Sequence, residues 1–343
     1  MNWFQYAVNS FKKLNTQEIK DCIDLVEQRT GKSKAMILWD MVLCAFRHQA
    51  GYHDYTIFGM YDMTEEQRKT LLTRGKNQQY IEALNDPNDR HYFENKSEFL
   101  NLFAKESGRD FLDISNATFD DFNAFFEKHG QMIAKPEAGL AGKDVEKVDP
   151  EEEGSIVALY NRLKTGGQTL IEEVLEQHVA IDALYPDAVN TVRMVTITDE
   201  HRAPHLIYAA MRLGRSGSVI DNFHSGGLIC PIDMKKGVLI GPAASQAGES
   251  FDAHPDTGVH FDGYFIPYWK EILTLTAKAT QKVPGVRFVG WDLAITPKGP
   301  VLVAGTPTPG HEIYQLVAQN PDKKGMLPVF DAAVPYEWVK SKK

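Results

Sequence analysis

The fold is decided by two apolar segments that predict a β-hairpin. The first reads Trp291-Asp292-Leu293-Ala294-Ile295-Thr296, the second reads Val301-Leu302-Val303-Ala304-Gly305-Thr306, and the turn is expected at Lys298-Gly299-Pro300. Because side chains alternate between the two faces of a strand, Ala304 and Thr306 share one face. Asp292 is the only charged residue in either segment. The stretch therefore predicts an antiparallel strand pair that carries a single carboxylate.

Length and composition limit the classes of protein. The 343 residues, 43% of them hydrophobic, can bury large cores in two domains or one elaborate domain. A formal charge of −9 argues against nucleic acid as the main partner, because phosphate binding needs a basic surface. No signal-like or membrane-spanning stretch is present, which predicts a soluble, cytoplasmic protein without a membrane partner. Cys22, Cys44 and Cys230 are not spaced as in a zinc site, so we expect reduced thiols in the core.

The local patterns divide the chain into a helical front and a mixed region. Residues 16–84 read as helices, with apolar residues at helical spacing and a possible capped start at Thr64 and Gln67. After Asn95, short helices alternate with strands. The predicted helices lie at 96–103, 119–129 and 156–163, and the predicted strands at 111–114, 131–135, 144–148, 169–175 and 191–197.

A glycine-containing hairpin is predicted between the strands at 131–135 and 144–148. Its tip includes Gly139 and Gly142. Backbone amides at such a tip can approach phosphate oxygens because glycine removes the steric barrier, and Lys135 and Lys143 add positive charge. The alternative is a flexible surface hairpin. The segment has neither the Lys-Ser/Thr of a P-loop nor a dinucleotide fingerprint.

Three further segments carry polar residues. The strand at 169–175 runs into a hinge whose backbone can hold an adenine ring, although it also suits a core strand with charges at its end. Arg193 lies in an alternating strand, where it either pairs with a carboxylate or clamps a phosphate or carboxylate bidentately. The loop at 214–227 is dense in glycine and small polar residues, which favours a ligand-facing segment over a plain turn. His224 within it is expected to be structural.

Taken in order, these features resemble the ATP-grasp enzymes, and most closely the sugar-transfer-associated branch that is related to alpha-L-glutamate ligases. The resemblance rests on Asn95-Lys96, Ala134-Lys135-Pro136, Ile171-Glu172-Glu173 with Gln177-His178, Val189-Asn190-Thr191-Val192-Arg193, Asp221-Asn222-Phe223 with Gly226-Gly227, and Gly290-Trp291-Asp292-Leu293-Ala294-Ile295-Thr296. Gly51-Tyr52 and the segment from Leu71 to Asn85 extend it into the helical front, so it covers most of the chain.

The resemblance implies an α+β fold in which two lobes clasp ATP. The expected domains are a helical region at 1–90 and an ATP-grasp domain at 91–343. Within the latter, 91–175 would be the first lobe with the glycine hairpin, and 176–343 the second lobe with the metal-site strands. Dimers are common for this architecture, although no sequence feature here demands one.

The resemblance also implies where ATP and Mg²⁺ bind. Lys96 and Lys135 would touch the α and β phosphates, and the hairpin from Gly139 to Gly142 would close over the β and γ phosphates. The hinge would hold the nucleoside, with adenine framed by Glu172, Glu173 and Leu175 and the ribose near Glu176. Arg193 and Asn222 would be catalytic residues at the transferred phosphoryl group, and Asp292 would hold Mg²⁺.

Two expected metal ligands are missing. In this family the Asp of the first hairpin strand is joined by a Glu and an Asn on the second, but Ala304 and Thr306 occupy those places. Mg²⁺ binds through one or two carboxylates plus substrate phosphates, so much of the protein's contribution would be lost. Three explanations stay open: a natural pseudoenzyme, an enzyme with ligands recruited from elsewhere such as Glu312, and an engineered variant.

Three functions therefore follow. The first is an ATP-dependent carboxylate–amine ligase, weakened at its metal site, that works through an acyl phosphate. Its carboxylate substrate would be an amino acid, a peptide end or a uronic acid of a glycan. The second is a nucleotide-binding module without chemistry that serves as a scaffold or regulator. The third is a phosphotransferase that uses the same ATP cradle with a hydroxyl acceptor.

Overall fold

The computed structural model describes residues 16–137, 139, 144–149 and 154–342. Its contacts group the chain into two compact units. Unit 1 contains the described residues up to Leu84 together with those from Gly310 onward, and unit 2 spans Asn85–Pro309. This grouping places the C-terminal segment with the helical front. The functional division at residues 90 and 175 stays a prediction.

The helices are α1 Thr16–Thr30, α2 Lys34–His48, α3 Tyr52–Ile57, α4 Glu65–Lys69, α5 Arg74–Leu84, α6 His91–Glu94, α7 Lys96–Leu102, α8 Ala104–Ser107, α9 Phe119–His129, α10 Ile156–Gly166, α11 Val179–Asp182, α12 Trp269–Ala279, α13 Leu327–Ala333 and α14 Tyr336–Ser341. The strands are β1 Phe111–Asp113, β2 Met132–Lys135, β3 Glu146–Val148, β4 Leu170–Glu173, β5 Thr191–Thr198, β6 Pro204–Leu213, β7 Leu228–Asp233, β8 Val238–Leu239, β9 Ala243–Ser245, β10 Ser250–Phe251, β11 Phe288–Thr296 and β12 Gly299–Thr306.

Unit 1 is helical, and its C-terminal segment is joined to the front by buried polar contacts. Asp54 accepts hydrogen bonds from His311 Nε2 at 2.6 Å and from the backbone amide of Arg74 at 2.8 Å. Gln315 bonds the backbone amide and carbonyl of Leu72 at 3.1 and 2.9 Å. Satisfying buried polar groups in this way fixes the position of each segment against the other. The described helical front and the C-terminal segment are therefore joined by buried hydrogen bonds.

Unit 2 contains two antiparallel sheets. The first has the strand order β1-β4-β2-β3, and the second has the order β10-β9-β7-β6-β5-β11-β12, with β8 paired to β7. Aliphatic and aromatic side chains fill a separate core against each sheet. In the second sheet, buried Val192, Met194 and Trp291 alternate with Arg193 and Asp292, so the polar residues share the opposite face.

The predicted α+β class is confirmed, and so is the placement of the main elements. The helices predicted at 96–103, 119–129 and 156–163 appear as α7, α9 and α10, and the five predicted strands appear as β1 to β5. Cys22, Cys44 and Cys230 are buried and free, as expected. No helix in the described part of the chain is long and apolar enough to cross a membrane.

One turn differs from its prediction. The hairpin between β11 and β12 turns at Pro297 and Lys298 rather than at residues 298–300. The Thr296 hydroxyl donates to the Gly299 carbonyl at 2.8 Å and accepts from the Lys298 amide at 3.2 Å. These local hydrogen bonds close the chain one residue earlier. Gly299, with φ +126°, then begins β12.

Candidate functional site

Asp292 is held between two arginines on the polar face of the second sheet. Arg193, its neighbour in register on β5, donates from Nε to Oδ1 at 2.6 Å and from Nη2 to Oδ2 at 3.1 Å. Arg212 on β6 donates from Nη1 to Oδ1 at 2.9 Å. Burial raises the pKa of Asp292, but the two guanidinium groups outweigh it and keep the pKa below its usual value. The carboxylate is therefore ionised and engaged by three donors.

The second arginine is fixed by a further carboxylate. Arg212 Nη2 donates to Asp221 Oδ1 at 2.9 Å. The other oxygen of Asp221 accepts from the Thr191 amide at 3.0 Å and from the Thr191 hydroxyl. Arg212 and Asp221 are both buried, so each charge depends on its partner. The result is a continuous hydrogen-bonded chain from Thr191 through four charged side chains, ending at Arg193.

Ala304 and Thr306 occupy the two positions at which the family resemblance implies metal ligands. Ala304 is directly opposite Asp292 on β12, and Thr306 is opposite Gly290. A β-bulge follows Asp292 in this pairing. Arg193 and Ala304, the two neighbours of Asp292 in register, offer no oxygen ligand. Asp292 as a Mg²⁺ ligand stays a prediction, and the donor set around it does not fit the ion, which prefers carboxylate, phosphate and water oxygens.

The two predicted phosphate-binding lysines come together at the end of β2. Lys96 Nζ, at the start of α7, donates to the Pro136 carbonyl at 2.6 Å. Burial and the nearby Lys135 charge lower the pKa of Lys96. A side chain at Gly139, where φ is +148°, would come within 3.8 Å of Lys96 Nζ. Both lysines and the first hairpin glycine therefore form one cluster, whereas Gly142 and Lys143 lie outside the described residues.

Glu172 balances the charge of this cluster. Its Oε1 lies 2.5 Å from Lys135 Nζ, and its Oε2 accepts from Arg109 Nε at 3.0 Å. Burial raises the pKa of Glu172, but Arg109 and Lys135 outweigh it and lower the pKa to about 2. Arg109 also donates to the carbonyls of Leu302 and Val303, at 2.8 and 3.0 Å. The side chain of Glu172 is therefore an ionic link between Lys135 and Arg109, and its predicted place at adenine stays a prediction.

The strand predicted at 169–175 ends earlier, at Glu173, and residues 174–178 have no regular secondary structure. Glu173 ends the strand, and its carboxylate accepts from the Asp110 amide at 3.1 Å. Leu175 is half-buried and Glu176 is exposed. The roles of these residues at adenine and ribose stay predictions.

The loop before β7 also has a defined local structure. Asn222 caps a single 3₁₀ turn, accepting from the His224 amide at 2.8 Å. In the sequence, Asn222 directly follows Asp221, the residue that pairs with Arg212. The predicted catalytic role of Asn222 stays untested, and His224 is exposed.

One other group of ligand-type side chains occurs in the described residues. The carboxylates of Asp110 and Glu173 and the His129 ring approach one another closely enough to hold a metal ion. However, Asp110 already pairs with Lys128 and, at 3.0 Å, with His129 Nε2. We assign this partly exposed cluster no ligand.

A model of the family described as sugar-transfer associated ATP-grasp matches residues 75–327. The chain belongs to this family. The ATP-grasp fold implied by the resemblance is thereby confirmed, and the matched range includes both sheets of unit 2. No curated protein matches the chain.

Several solved structures are similar to this ATP-grasp protein. The ATP-grasp ligase PsnB complexed with minimal precursor has 14% identity and a TM-score of 0.44, covering 74% of this chain and 64% of that chain. D-alanyl-alanine synthetase A from Vibrio cholerae has 10% identity and a TM-score of 0.47, with coverages of 75% and 67%. N5-carboxyaminoimidazole synthetase from Staphylococcus aureus complexed with ADP has 12% identity and a TM-score of 0.40, with coverages of 64% and 46%. The chain spans less than two thirds of the first and third of these structures.

Sequence reasoning missed two residues of the site, Arg109 and Arg212. Arg212 is a lone arginine near the end of an apolar strand, which is the same signal that singled out Arg193. Arg109 precedes β1 and has no such pattern around it. Its partners are 63 and more positions away in the sequence, so only the folded chain identifies it.

Proposed function

We propose that this ATP-grasp protein binds ATP between the two sheets of unit 2 and uses it to join a carboxylate to an amine. The observation that carries the proposal is the meeting of Lys96, Lys135 and Gly139 at the end of β2, where Lys135 pairs with Glu172 of β4. Two amines and an accessible backbone suit a polyphosphate, since lysine is a compact cationic donor to phosphate oxygens. Membership of the ATP-grasp family supports the same ligand.

The proposed reaction has two steps. A carboxylate oxygen attacks the γ-phosphorus, the bond to the β–γ bridging oxygen breaks, and ADP leaves. The amine nitrogen then attacks the acyl carbon of the resulting acyl phosphate, inorganic phosphate leaves, and the nitrogen loses a proton. Phosphoryl transfer asks the protein chiefly for positioning and charge stabilisation. The amino acid, peptide end or uronic acid that supplies the carboxylate is part of the proposal.

The residues present suit these tasks. The lysines would orient the α and β phosphates, and the hinge segment 172–176 would hold adenine and ribose. Arg193 would meet the transferred phosphoryl group, because within the described residues Asp292 occupies only its Nε and Nη2 positions. Asn222 would face the same pocket from the loop before β7.

The surroundings of Asp292 favour a second function, a nucleotide-binding module without chemistry. Asp292 is engaged by two arginines and faces Ala304, so a Mg²⁺-assisted reaction lacks its usual ligands. A nucleotide-binding module that has lost chemistry would need no such ligands. A phosphotransferase acting on a hydroxyl would share the cradle and differ only in its acceptor.

Calorimetric titration with ATP, followed by an ADP-release assay with carboxylate and amine mixtures, separates these functions. We expect saturable ATP binding and ADP release that requires both substrates. Release that needs a hydroxyl compound and no amine would favour the phosphotransferase, and binding without release would favour the module. A folded protein that does not bind ATP would overturn the proposal.

A further inference from the structure

The surroundings of Asp292 argue for a cation other than a metal. A carboxylate offers about four lone-pair positions to donors. Three of them are used here, by Arg193 Nε and Nη2 and by Arg212 Nη1, at 2.6, 3.1 and 2.9 Å. Any Mg²⁺ at Asp292 would have to displace these hydrogen bonds and approach two positive charges. Repulsion between like charges in a buried site makes that exchange unfavourable.

The backbone is shaped to admit the arginine. Gly290 lies two residues before Asp292 on β11, and a Cβ there would come within 2.8 Å of Arg193 Nη1. Such a contact is closer than van der Waals radii allow, so only glycine leaves room for the guanidinium in this position. Arg193 is thus seated against the sheet, between Gly290 and the Asp292 carboxylate.

The opposite strand leaves space beside this group. Ala304, across from Asp292, is half-buried and ends at Cβ. A glutamate at this position would extend toward the same charges. With alanine there, the Nη1 group of Arg193 has no hydrogen-bond partner among the described residues. The other arginine, Arg212, is held by Asp221. The Nη1 group of Arg193 is therefore available as a hydrogen-bond donor to a ligand beside Asp292.

We propose that Arg193, supported by Arg212, takes the part of the divalent cation at Asp292, so that this chain binds nucleotide phosphates without requiring Mg²⁺. The inference rests on the proposed ATP site and specifies how that site neutralises phosphate charge. A guanidinium presents a rigid fork that suits phosphate oxygens and stays charged at any physiological pH. Ala304 is then part of an arginine-based site, whereas a carboxylate at that position would draw the guanidinium of Arg193 away from Asp292 and leave both carboxylates to a metal ion.

The test uses β,γ-imido-ATP, which is not turned over, titrated into the full chain in excess Mg²⁺ and in EDTA. For the unaltered protein we expect dissociation constants that agree within about threefold between the buffers. Arg193→Gln should weaken binding by a similar factor in both, because the arginine rather than a metal supplies the charge. Binding that weakens about tenfold or more in EDTA, with the circular dichroism unchanged, would overturn the inference while leaving the nucleotide site intact.

A matched pair of variants sharpens the result. Ala304→Glu places a carboxylate opposite Asp292, and we expect its binding to become about tenfold tighter in Mg²⁺ than in EDTA. Ala304→Gln has the same size without the charge and should show no such difference. Equal behaviour of both variants would argue against a vacated metal position at residue 304 and so against the inference. Absence of binding in every buffer would contradict the proposed function itself, and this inference with it.

Discussion

Arg109 and Glu172 form a buried ion pair that links the two sheets of unit 2, with Nε 3.0 Å from Oε2. Their side chains are 1% and 7% exposed. The two remaining nitrogens of the Arg109 guanidinium donate to the carbonyls of Leu302 and Val303, beside the bulge in β12. A bulge interrupts the ladder of a strand pair, and the arginine satisfies carbonyls at that point. The same pair thus connects Lys135, at the proposed phosphates, with the strand opposite Asp292.

Replacing Glu172 by glutamine should strongly destabilise unit 2. The change leaves the charges of Arg109 and Lys135 buried without a carboxylate, and breaking a buried pair in this way costs about 3–5 kcal/mol. Urea unfolding followed by tryptophan fluorescence measures the loss. Glu173→Gln is the matched control, because this neighbouring side chain makes one hydrogen bond to the Asp110 amide. Similar unfolding midpoints for the two variants would contradict the ionic role of Glu172.

The same carboxylate predicts a dependence of stability on pH. Its pKa falls from the usual 4.5 to about 2 in the folded chain. A depressed pKa means that the stabilisation is complete above pH 4.5 and is lost as the pH falls from there toward 2. The size of the effect is about 3 kcal/mol. We expect the free energy of unfolding to drop across this window in the unaltered protein, with a smaller drop in Glu172→Gln; equal slopes would rule out Glu172 as the source.

Lys96→Met should weaken ATP binding without disturbing the fold. The fold loses only the hydrogen bonds of this amine to the carbonyls of Pro136 and Glu137, at 2.6 and 3.5 Å. A charged donor to phosphate, in contrast, is worth about 1.5–3 kcal/mol, or roughly tenfold to a hundredfold in affinity. Calorimetric titration of ATP measures the change. Lys105→Met, which removes an exposed lysine of α8, is the control and should bind as the unaltered chain does. Unchanged affinity in Lys96→Met would remove this lysine from the site.

Much of this fold can be predicted from the sequence because local patterns specify it. Alternation predicts β5, and two apolar segments around a turn predict the β11–β12 pair that carries Asp292. For Arg193, the strand pattern left open a carboxylate partner or an anionic ligand, and the structure supplies Asp292 as its partner. The hairpin turn was misplaced because a threonine hydroxyl, rather than the glycine, closes the chain.

The site was harder to predict, because its charged side chains pair with residues that are far away in the sequence. Arg212 reaches Asp292 across 80 positions and Arg109 reaches Glu172 across 63. Such pairs depend on the strand register, which no single segment encodes. The family pattern suggested a metal at Asp292. The charges that surround this carboxylate became visible only when β5, β6 and β11 were placed side by side.

Asp54→Asn should loosen the C-terminal segment of unit 1. The Asp54 carboxylate is 1% exposed and accepts from His311 and from the amides of Gly51 and Arg74. An amide cannot accept at both ends, so at least one buried donor loses its partner, at a cost of about 1–3 kcal/mol. Faster amide hydrogen exchange in residues 311–327 is the expected readout. Asp24→Asn, at an exposed ion pair with Lys34, should leave exchange unchanged, and equal exchange in both variants would contradict the role of Asp54.

Gly290→Ala should impair phosphate binding more than stability. The new Cβ would lie 2.8 Å from Arg193 Nη1 and 3.2 Å from Pro309 Cβ, so the guanidinium must swing away from Asp292. Because Nη1 is the far end of a flexible side chain, the backbone can keep its register. We expect on the order of tenfold weaker ATP binding by calorimetry, as for loss of one charged donor. Gly166→Ala is the matched control, since a Cβ there meets only ordinary contacts at the end of α10. If Gly290→Ala keeps its affinity for ATP, Arg193 does not need its position against β11 in order to bind phosphate.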